Sequence, residues 1–375
     1  MHRPRLKSIY TPVPAGGGRI RFGGGLGIAS EIQDDDADHV WRLLWLLDGS
    51  RTVEQLAAAM PDVPPGDVAA AVATLQAGGL LEDAARDGDT HDLTPAELGR
   101  YRRSLDFYGF FNHPTATSFD FQARLKHSRV VVLGLGGLGS QVAMSLAATG
   151  VGHLVVVDHD QVELSNLNRQ LLYTDADIGR SKVLAGAERL QLMNPHIEVT
   201  PWETAVAGVA DAERCLGAGD VLICAADRPR IRLFEWLNEA ALTRRKPWLR
   251  SSSEGLTVSF SLHVPGRTGC FACAETEACR TLPGYEEVSA YVRDDVADRT
   301  VNPCTAGVAG TAANIAALEV VRLLTGAADP VSLGRTVVVD LRELRTFRRP
   351  MPKLADCASC SPAADRSQIP SAPPA

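Results

Sequence analysis

From residue 129 onwards, short apolar runs alternate with longer stretches in which apolar residues recur at helical spacing. The apolar runs predict strands at 130–133, 154–158, 197–200, 221–225 and 248–251. The amphipathic stretches predict helices at 140–149, 182–193 and 230–243. Such alternation is typical of a parallel sheet with helices on both faces. Apolar segments at 255–264 and 336–340 predict antiparallel additions beside a helix at about 310–324. The pattern therefore predicts a doubly wound, mostly parallel α/β sheet.

The N-terminal pattern is different and predicts a small α+β domain over residues 18–83. Two short strands at 19–22 and 25–32 precede a helix at 38–47, in which apolar residues recur at helical spacing. Thr52 and Gln55 form a capping-box signature for a second helix, and residues 64–77 predict a third, followed by a strand at 80–82. This order of elements is the outline of a winged-helix domain.

The remaining boundaries follow from composition. Residues 1–17 predict a flexible tail, and the polar segment 84–93 predicts a linker. Residues 94–360 form the larger domain, and the Pro/Ser/Ala-rich segment 361–375 predicts a disordered tail.

The winged-helix outline raises the question of what this domain binds. Its third predicted helix, 64–77, contains no Lys or Arg, which argues against DNA because bases and phosphates are read by cationic donors. The element order resembles the peptide-clamp domains with which modifying enzymes of ribosomal peptides hold a leader peptide. That resemblance implies that the leader adds a strand to an exposed sheet edge. A dimerisation or spacer domain is the alternative.

Composition and charge narrow the class of protein. The 375 residues carry 38 Lys and Arg against 45 Asp and Glu, so the net charge is −7, which does not favour nucleic-acid binding. The N-terminus lacks the apolar core of a secretory signal, and the apolar stretch 130–157 is interrupted by glycines and polar residues. We therefore expect a soluble, cytoplasmic protein without a membrane span.

Four of the eight cysteines form two close pairs, Cys270 with Cys273 and Cys357 with Cys360. Disulfides are not expected in a reducing compartment, whereas two CxxC pairs suit one tetrahedral, structural Zn²⁺ that ties down the C-terminal end. Two unrelated surface pairs are the alternative. Cys304 is either a nucleophile or a small buried residue, and Cys279 is a weaker candidate nucleophile.

A glycine-rich turn lies between the first strand and first helix of the predicted sheet, and its glycines are Gly134, Gly136, Gly137 and Gly139. Glycines let backbone N–H groups approach a phosphate at a helix N-terminus, as in Rossmann-like folds. Asp158 ends the next strand, where a carboxylate can accept ribose hydroxyls. Taken alone, these features also fit an NAD-dependent dehydrogenase.

The residues after Asp158 favour a triphosphate over a dinucleotide. They place polar and charged side chains where a triphosphate would extend from the ribose, namely Asp160, Asn166, Arg169, Gln170 and Lys182. We expect Arg169 and Lys182 to be exposed cations that neutralise charge as pyrophosphate leaves. Asp227 follows the strand at 221–225, at the sheet edge where ligands bind, and is a natural Mg²⁺ ligand.

The run GLGGLG…VDHDQVELSNLNRQ…GRSK…CAAD resembles the ThiF-type adenylyltransferases and the ubiquitin-activating superfamily. The resemblance spans about residues 94–360. The resemblance implies the roles just given to the glycines and to Asp158, Asn166, Arg169, Lys182 and Asp227. It also implies that Arg103 is an arginine finger that enters the partner's active site in a homodimer. Two residues depart from the family pattern, Arg228 in place of Asn and Ser104 in place of Gln.

An adenylyltransferase domain joined to a peptide clamp resembles the microcin C and pantocin maturation enzymes. This implies ATP-dependent adenylylation of the C-terminal carboxylate of a ribosomal precursor peptide, with Arg103, Arg169, Lys182 and Asp227 as catalytic residues. One alternative substrate is a ubiquitin-like sulfur carrier. Another alternative is a non-catalytic, leader-binding scaffold for a cyclodehydratase. The sequence leaves open the peptide, its leader motif and the bond made after adenylylation.

Overall fold

The computed structural model describes residues 1–23, 30–35, 38–111, 116–293 and 302–361. The chain folds as two compact units. The N-terminal unit comprises Met1–Arg124 with Thr325–Ala328, and the C-terminal unit comprises Leu125–Leu324 with Asp329–Ala375. The segment 94–124, placed in the larger domain from the sequence, thus belongs to the N-terminal unit. The predicted tail at 361–375 lies outside the described residues from residue 362 onwards.

The N-terminal unit combines small sheets with short helices. Its strands are β1 (Pro4–Leu6), β2 (Pro12–Pro14), β3 (Arg19–Phe22), β4 (Ser30–Gln33) and β5 (Leu81–Asp83). Its helices are α1 (His39–Leu46), α2 (Val53–Ala59), α3 (Pro65–Ala77), α4 (Pro95–Arg100), α5 (Arg102–Tyr108) and α6 (Ser118–Lys126). Strands β2, β3 and β4 form one antiparallel sheet, and β1 pairs with β5 in another. The predicted capping box of Thr52 and Gln55 is present at the start of α2.

The prediction of a flexible tail at residues 1–17 was wrong. Strand β1 pairs with β5, and the Asp83 carboxylate accepts hydrogen bonds from the backbone N–H groups of His2 and Arg3 at 2.7 and 2.9 Å. Arg5 forms ion pairs with Glu82 and Asp87 at 2.7 and 2.6 Å. Met1, Leu6 and Tyr10 also pack against the core of the unit. A hydrophobicity pattern does not register the ion pairs and backbone hydrogen bonds that add to this packing.

The C-terminal unit is built around one large sheet. Its strands are β6 (Arg129–Leu133), β7 (His153–Asp158), β8 (Glu198–Glu203), β9 (Val221–Cys224), β10 (Trp248–Glu254), β11 (Thr257–His263), β12 (Arg335–Asp340) and β13 (Arg345–Pro350). Its helices are α7 (Gly137–Thr149), α8 (Lys182–Met193), α9 (Val209–Gly217), α10 (Arg230–Arg244), α11 (Phe271–Thr281), α12 (Tyr285–Arg293) and α13 (Ala306–Thr325). The pattern did not predict α9, α11, α12 or β13.

The strand order of this sheet is β13-β12-β11-β10-β9-β6-β7-β8. The pairs from β10 to β8 are parallel, and those from β13 to β10 are antiparallel. The predicted fold class is therefore confirmed. After β6 the chain runs to β7 and β8 on one side and later returns to β9 and β10 on the other. The carboxyl ends of β6 and β9 thus flank the switch point at which ligands bind in such sheets.

Among the described residues, one helix, α13, has the length and composition that could cross a membrane, with a mean hydropathy of 1.4. Several of its alanines and valines are buried in the unit, for example Ala313 and Val320. Near its end, Glu319 is 2% exposed and accepts hydrogen bonds from the backbone N–H groups of Val331 and Ser332 at 3.0 and 2.6 Å. The Ser332 hydroxyl also donates to Glu319 at 2.6 Å. This carboxylate therefore fixes the connection from α13 to β12.

We expect Glu319→Ala to destabilise the C-terminal unit by about 2–4 kcal/mol, because it leaves several donors around a buried site without an acceptor. Denaturant unfolding followed by circular dichroism measures the change. Glu343→Ala is the matched control, because the Glu343 side chain is 59% exposed and forms a surface ion pair with Arg345. Equal stability of the two variants would contradict the role assigned to Glu319.

Candidate nucleotide site

The glycine-rich turn between β6 and α7 is packed too closely for side chains at two of its positions. Gly134 has a φ of +88°, and a Cβ there would lie 2.7 Å from the backbone nitrogen of Ala226. A Cβ at Gly139 would lie 1.8 Å from the carbonyl oxygen of Gly134. Gly136 is the N-cap of α7 and provides no side chain to the first turn. The N–H groups of that turn are therefore available to an anion.

Asp158 holds this turn from the end of β7. Its carboxylate accepts hydrogen bonds from the backbone N–H groups of Leu135 at 2.6 Å and Asp160 at 2.9 Å. The residue is 9% exposed. A carboxylate has about four acceptor positions, so lone pairs remain for a ribose hydroxyl after these two bonds.

Lys182 lies at the start of α8, against Asp160. Its Nζ is 2.7 Å from the Asp160 carboxylate, and its backbone N–H donates to the Asp160 carbonyl at 3.0 Å. Burial raises the pKa of Asp160, but the hydrogen bond and charge of Lys182 outweigh it and leave the pKa below its usual value. The expectation that Lys182 is an exposed cation was wrong, because its side chain is only 7% exposed. The Asp160 pair compensates the buried charge.

Arg169 lies over the first turn of α7. Its Cγ would be 3.2 Å from a Cβ at Gly137, and its guanidinium donates to the carbonyl of Ser165 and the amide oxygen of Asn168, both at 2.9 Å. No carboxylate pairs with it among the described residues, so its charge is available to a ligand. The segment that carries it is ordered by Asn166, whose side-chain oxygen accepts from the Glu163 N–H at 3.1 Å.

Gln170 is the next residue, and it is 3% exposed. Its side-chain oxygen is buried and has no hydrogen-bond partner within the part of the chain that the structure describes. Its side-chain nitrogen would be 3.8 Å from a Cβ at Gly136. An unsatisfied polar atom beside the glycine turn is expected where a polar ligand completes the site.

Sequence reasoning missed three residues that support this site. The Gln141 amide donates to the carbonyls of Gly137 and Arg169, each at 3.2 Å. The Tyr173 hydroxyl donates to the carbonyl of Leu135 at 3.0 Å, and burial raises the pKa of Tyr173 well above its usual value. Asp177 is 1% exposed and pairs with Arg180 and Arg189. Gln141 and Tyr173 have backbone partners that no sequence spacing identifies, whereas Thr174 and Asp177 form a capping box whose spacing could have indicated Asp177.

Asp227 is exposed in the connection between β9 and α10. The nearby Ala225 N–H donates to the carbonyl of Leu133 at 2.8 Å, which ties this connection to the end of β6. The structure thus brings Asp227, the glycines, Asp158, Asp160, Asn166, Arg169, Gln170 and Lys182 to the carboxyl ends of β6, β7 and β9. Arg103 belongs to the N-terminal unit, where its side chain is 95% exposed and lies 3.3 Å from Asp106.

The four paired cysteines lie together in the C-terminal unit. Neighbouring Sγ atoms are 3.5–3.9 Å apart, and all four lie within 4.8 Å of one another. Four thiolates around a tetrahedral Zn²⁺, with Zn–S bonds of about 2.3 Å, have sulfurs about 3.8 Å apart. Burial raises the pKa of Cys270, and it raises the pKa of Cys360 to about 11. A cation would stabilise the thiolates that burial disfavours, so the donor set fits zinc.

The other two candidate cysteines lie outside this cluster. Cys304 is half-buried, with its Sγ 3.7 Å from the Ser253 hydroxyl, whereas Cys279 is exposed on α11. Among the described residues, Cys304 contacts the Ser253 hydroxyl and the Thr305 carbonyl and no His, so the structure adds no general base to the proposal that it is a nucleophile.

The ThiF family model matches residues 110–361. The HesA protein of Leptolyngbya boryana is 30% identical over 269 residues, which cover 72% of this chain and 87% of HesA. The molybdopterin-synthase adenylyltransferase of Escherichia coli strain K12 is 30% identical over 264 residues, which cover 69% of this chain and 96% of that enzyme.

The chain also resembles crystal structures of E. coli MccB along nearly its full length. A complex of MccB with ATP aligns at a TM-score of 0.79 and 22% identity, covering 96% of this chain and 99% of MccB. A complex of MccB, the microcin C7 biosynthetic enzyme, with N-formylated MccA aligns at a TM-score of 0.80 with the same identity and coverage. The family model, the curated relatives and the glycine turn agree: this chain belongs to the ThiF family and is an ATP-dependent adenylyltransferase.

Proposed function

We propose that the protein adenylylates the C-terminal carboxylate of a ribosomally made precursor peptide and that its N-terminal unit binds the leader of that peptide. The observation that carries the proposal is the pairing of a complete set of candidate ATP residues with a small N-terminal unit in one chain. The fold likeness to MccB, which has been crystallised with MccA, extends over both units and supports the same reading. Molybdopterin-synthase adenylyltransferase aligns with only 69% of this chain.

The nucleotide site suggests how each residue contributes. The N–H groups of the glycine turn and the Arg169 guanidinium bind the phosphates, together with Asn166 and Gln170, and Asp158 accepts a ribose hydroxyl. Lys182 is held in position by Asp160. Asp227 would hold Mg²⁺, which supplies positive charge to the phosphates when bound.

The chemistry that this arrangement supports is displacement at the α-phosphorus. A carboxylate oxygen of the peptide forms a bond to that phosphorus as the bond to pyrophosphate breaks, and a peptidyl adenylate results. The protein contributes positioning and charge neutralisation, which dominate catalysis of phosphoryl-group chemistry. A sulfur-carrier protein that ends in Gly-Gly remains the alternative substrate, favoured by the molybdopterin-synthase relative.

Arg169→Ala should reduce ATP–pyrophosphate exchange by about 10²–10³-fold, because it removes charge stabilisation from the transition state. Its melting temperature should hardly change, since the arginine forms no ion pair among the described residues. The substrates tested are peptides encoded by small open reading frames beside the gene. Arg214→Ala, which removes a cation from the surface of α9, is the control that should keep full activity.

Lys182→Ala should lose activity to a similar extent and also lose about 1–3 kcal/mol of stability, because Lys182 is buried against Asp160. Thermal unfolding of the two variants measures this difference. Near-normal exchange in both variants would contradict the catalytic roles proposed for Arg169 and Lys182, whereas a wild type without exchange would favour a leader-binding scaffold.

We also propose that Cys270, Cys273, Cys357 and Cys360 hold one structural Zn²⁺, which requires thiols kept reduced as in the cytoplasm. Metal analysis should find about one zinc per chain, and Cys357→Ser should lower both zinc content and thermal stability. Cys279→Ser, at an exposed cysteine outside the cluster, should change neither. Protein purified without chelator that contains no zinc would exclude this site.

The exposed Arg103 supports a proposal that it completes the active site of a partner subunit in a homodimer. Arg103→Ala and Asp227→Ala should each be inactive, whereas a mixture with free subunit exchange should recover about a quarter of wild-type activity. Half of the dimers are then mixed, and one of the two sites in each is intact. Arg102→Ala, at the exposed neighbouring position, is the matched control and should stay active. A mixture that stays inactive despite proven exchange would contradict the model.

A further inference from the structure

Arg250 in β10 carries a positive charge that has no ion-pair partner among the described residues of the C-terminal unit. The residue is half-buried, and its Nε atom is buried without a hydrogen-bond partner. Within the described parts of the chain, its guanidinium forms neither a hydrogen bond nor an ion pair. Arginines at such positions are ordinarily paired, because an uncompensated charge away from water is costly.

An aromatic side chain fixes the position of this guanidinium. The Arg250 Cζ lies 4.4 Å from the ring centroid of Phe234 in α10. Phe234 is itself 8% exposed and stacks against Trp248, with ring centroids 6.3 Å apart. Packing on the ring holds the guanidinium in place, and its two Nη groups, which form no hydrogen bond with the described residues, can donate to an anion.

Three titratable groups that feel the Arg250 charge, Cys224, His263 and Tyr285, are neutral near pH 7. Burial raises the pKa of Cys224 to about 12 and lowers the pKa of His263 to about 3. Burial also raises the pKa of Tyr285 above its usual value. Two carboxylates act on the same groups, Asp227 on Cys224 and Glu275 on Tyr285, but among the described residues neither forms an ion pair with Arg250. The guanidinium is therefore free to bind an added anion.

The register of the sheet places Arg250 beside the reaction site. Arg250 pairs with Cys224, three residues before Asp227, and β9 in turn pairs with β6. Adjacent strands lie about 4.8 Å apart, so β10 is about 10 Å from the strand that carries the glycine turn. The residues assigned to ATP lie on the β6–β7 side. An anion at Arg250 therefore lies on the opposite side of the switch point from the ribose and triphosphate.

We propose that Arg250 binds a carboxylate of the acyl substrate and positions it beside the α-phosphate. This rests on the proposed function, in which the reacting end of the peptide is a carboxylate. The carboxylate is either the terminal one or that of an acidic side chain. Both present two oxygens to the two-pronged edge of a guanidinium.

The test measures the melting temperature of the full chain with three small probes, each at about 50 mM and constant ionic strength. N-acetylglycine carries a terminal carboxylate, and the α-amide of N-acetylaspartate carries only a side-chain carboxylate. N-acetylglycinamide is the neutral control. A carboxylate probe with a Kd of roughly 10 mM is then present at about five times its Kd and should raise the melting temperature by about 2–4 °C. The neutral control should leave the melting temperature unchanged.

Arg250→Gln should abolish this shift, whereas Arg250→Lys should reduce it, because Lys keeps the charge but loses the planar fork. If Arg250→Gln does not fold, the reduced melting-temperature shift of Arg250→Lys tests the proposal instead. An equal shift in Arg250→Gln, or no shift of the wild type with either carboxylate, would overturn the proposal. A stabilisation by ATP or pyrophosphate that depends on Arg250 would assign the residue to the nucleotide and overturn it as well.

The same probes separate this inference from the proposed function. An Arg250-dependent shift without any peptide-dependent pyrophosphate exchange would leave the anion site standing and contradict peptide adenylylation. Peptide-dependent exchange that is unchanged in Arg250→Gln, in KM and in kcat, would contradict the role of Arg250 alone.

Discussion

The hydrogen bonds that Asp158 accepts from the backbone of Leu135 and Asp160 organise the nucleotide site. The first bond fixes the glycine turn at the end of β6. The second fixes the start of the segment that leads to Arg169, and Asp160 in turn pairs with Lys182. One carboxylate at the end of β7 therefore sets the spacing between the phosphate-binding backbone and the cations. A side chain at Gly134 or Gly139 would disturb the same arrangement from the other side.

The cations of the site have different electrostatic environments. Lys182 is buried and compensated by Asp160, Arg169 is held by neutral acceptors, and Arg250 is held by an aromatic ring. Lys182 can be ordered before any ligand binds, because its ion pair with Asp160 keeps the electrostatic cost low. The other two keep their charge available for anions, and they lie on opposite sides of the switch point. This division is what a reaction between two anions, a triphosphate and a carboxylate, requires of a protein.

Much of the sheet could be predicted from the sequence, because β6, β7 and β9 are continuous apolar runs separated by amphipathic helices. The glycine turn and Asp158 were accessible because their spacing follows from backbone geometry. Sequence reasoning did not predict the ordered N-terminus or the burial of Lys182. It also missed the support that Gln141 and Asp177 give to the site. The N-terminus and Lys182 depend on partners distant in the chain, and Gln141 depends on backbone atoms, so these pairings leave no periodic signal. Asp177 is different, because its spacing from Thr174 is that of a capping box.

The central claim is that a carboxylate oxygen of a peptide attacks the α-phosphorus of ATP. The most direct measurement uses a peptide whose C-terminal carboxylate carries a heavy oxygen isotope, followed by mass spectrometry of the AMP released by a nucleophile such as hydroxylamine. The account predicts AMP that contains one oxygen from the peptide and a hydroxamate at the peptide's C-terminus. AMP that forms without the peptide, or without its oxygen, would contradict the account.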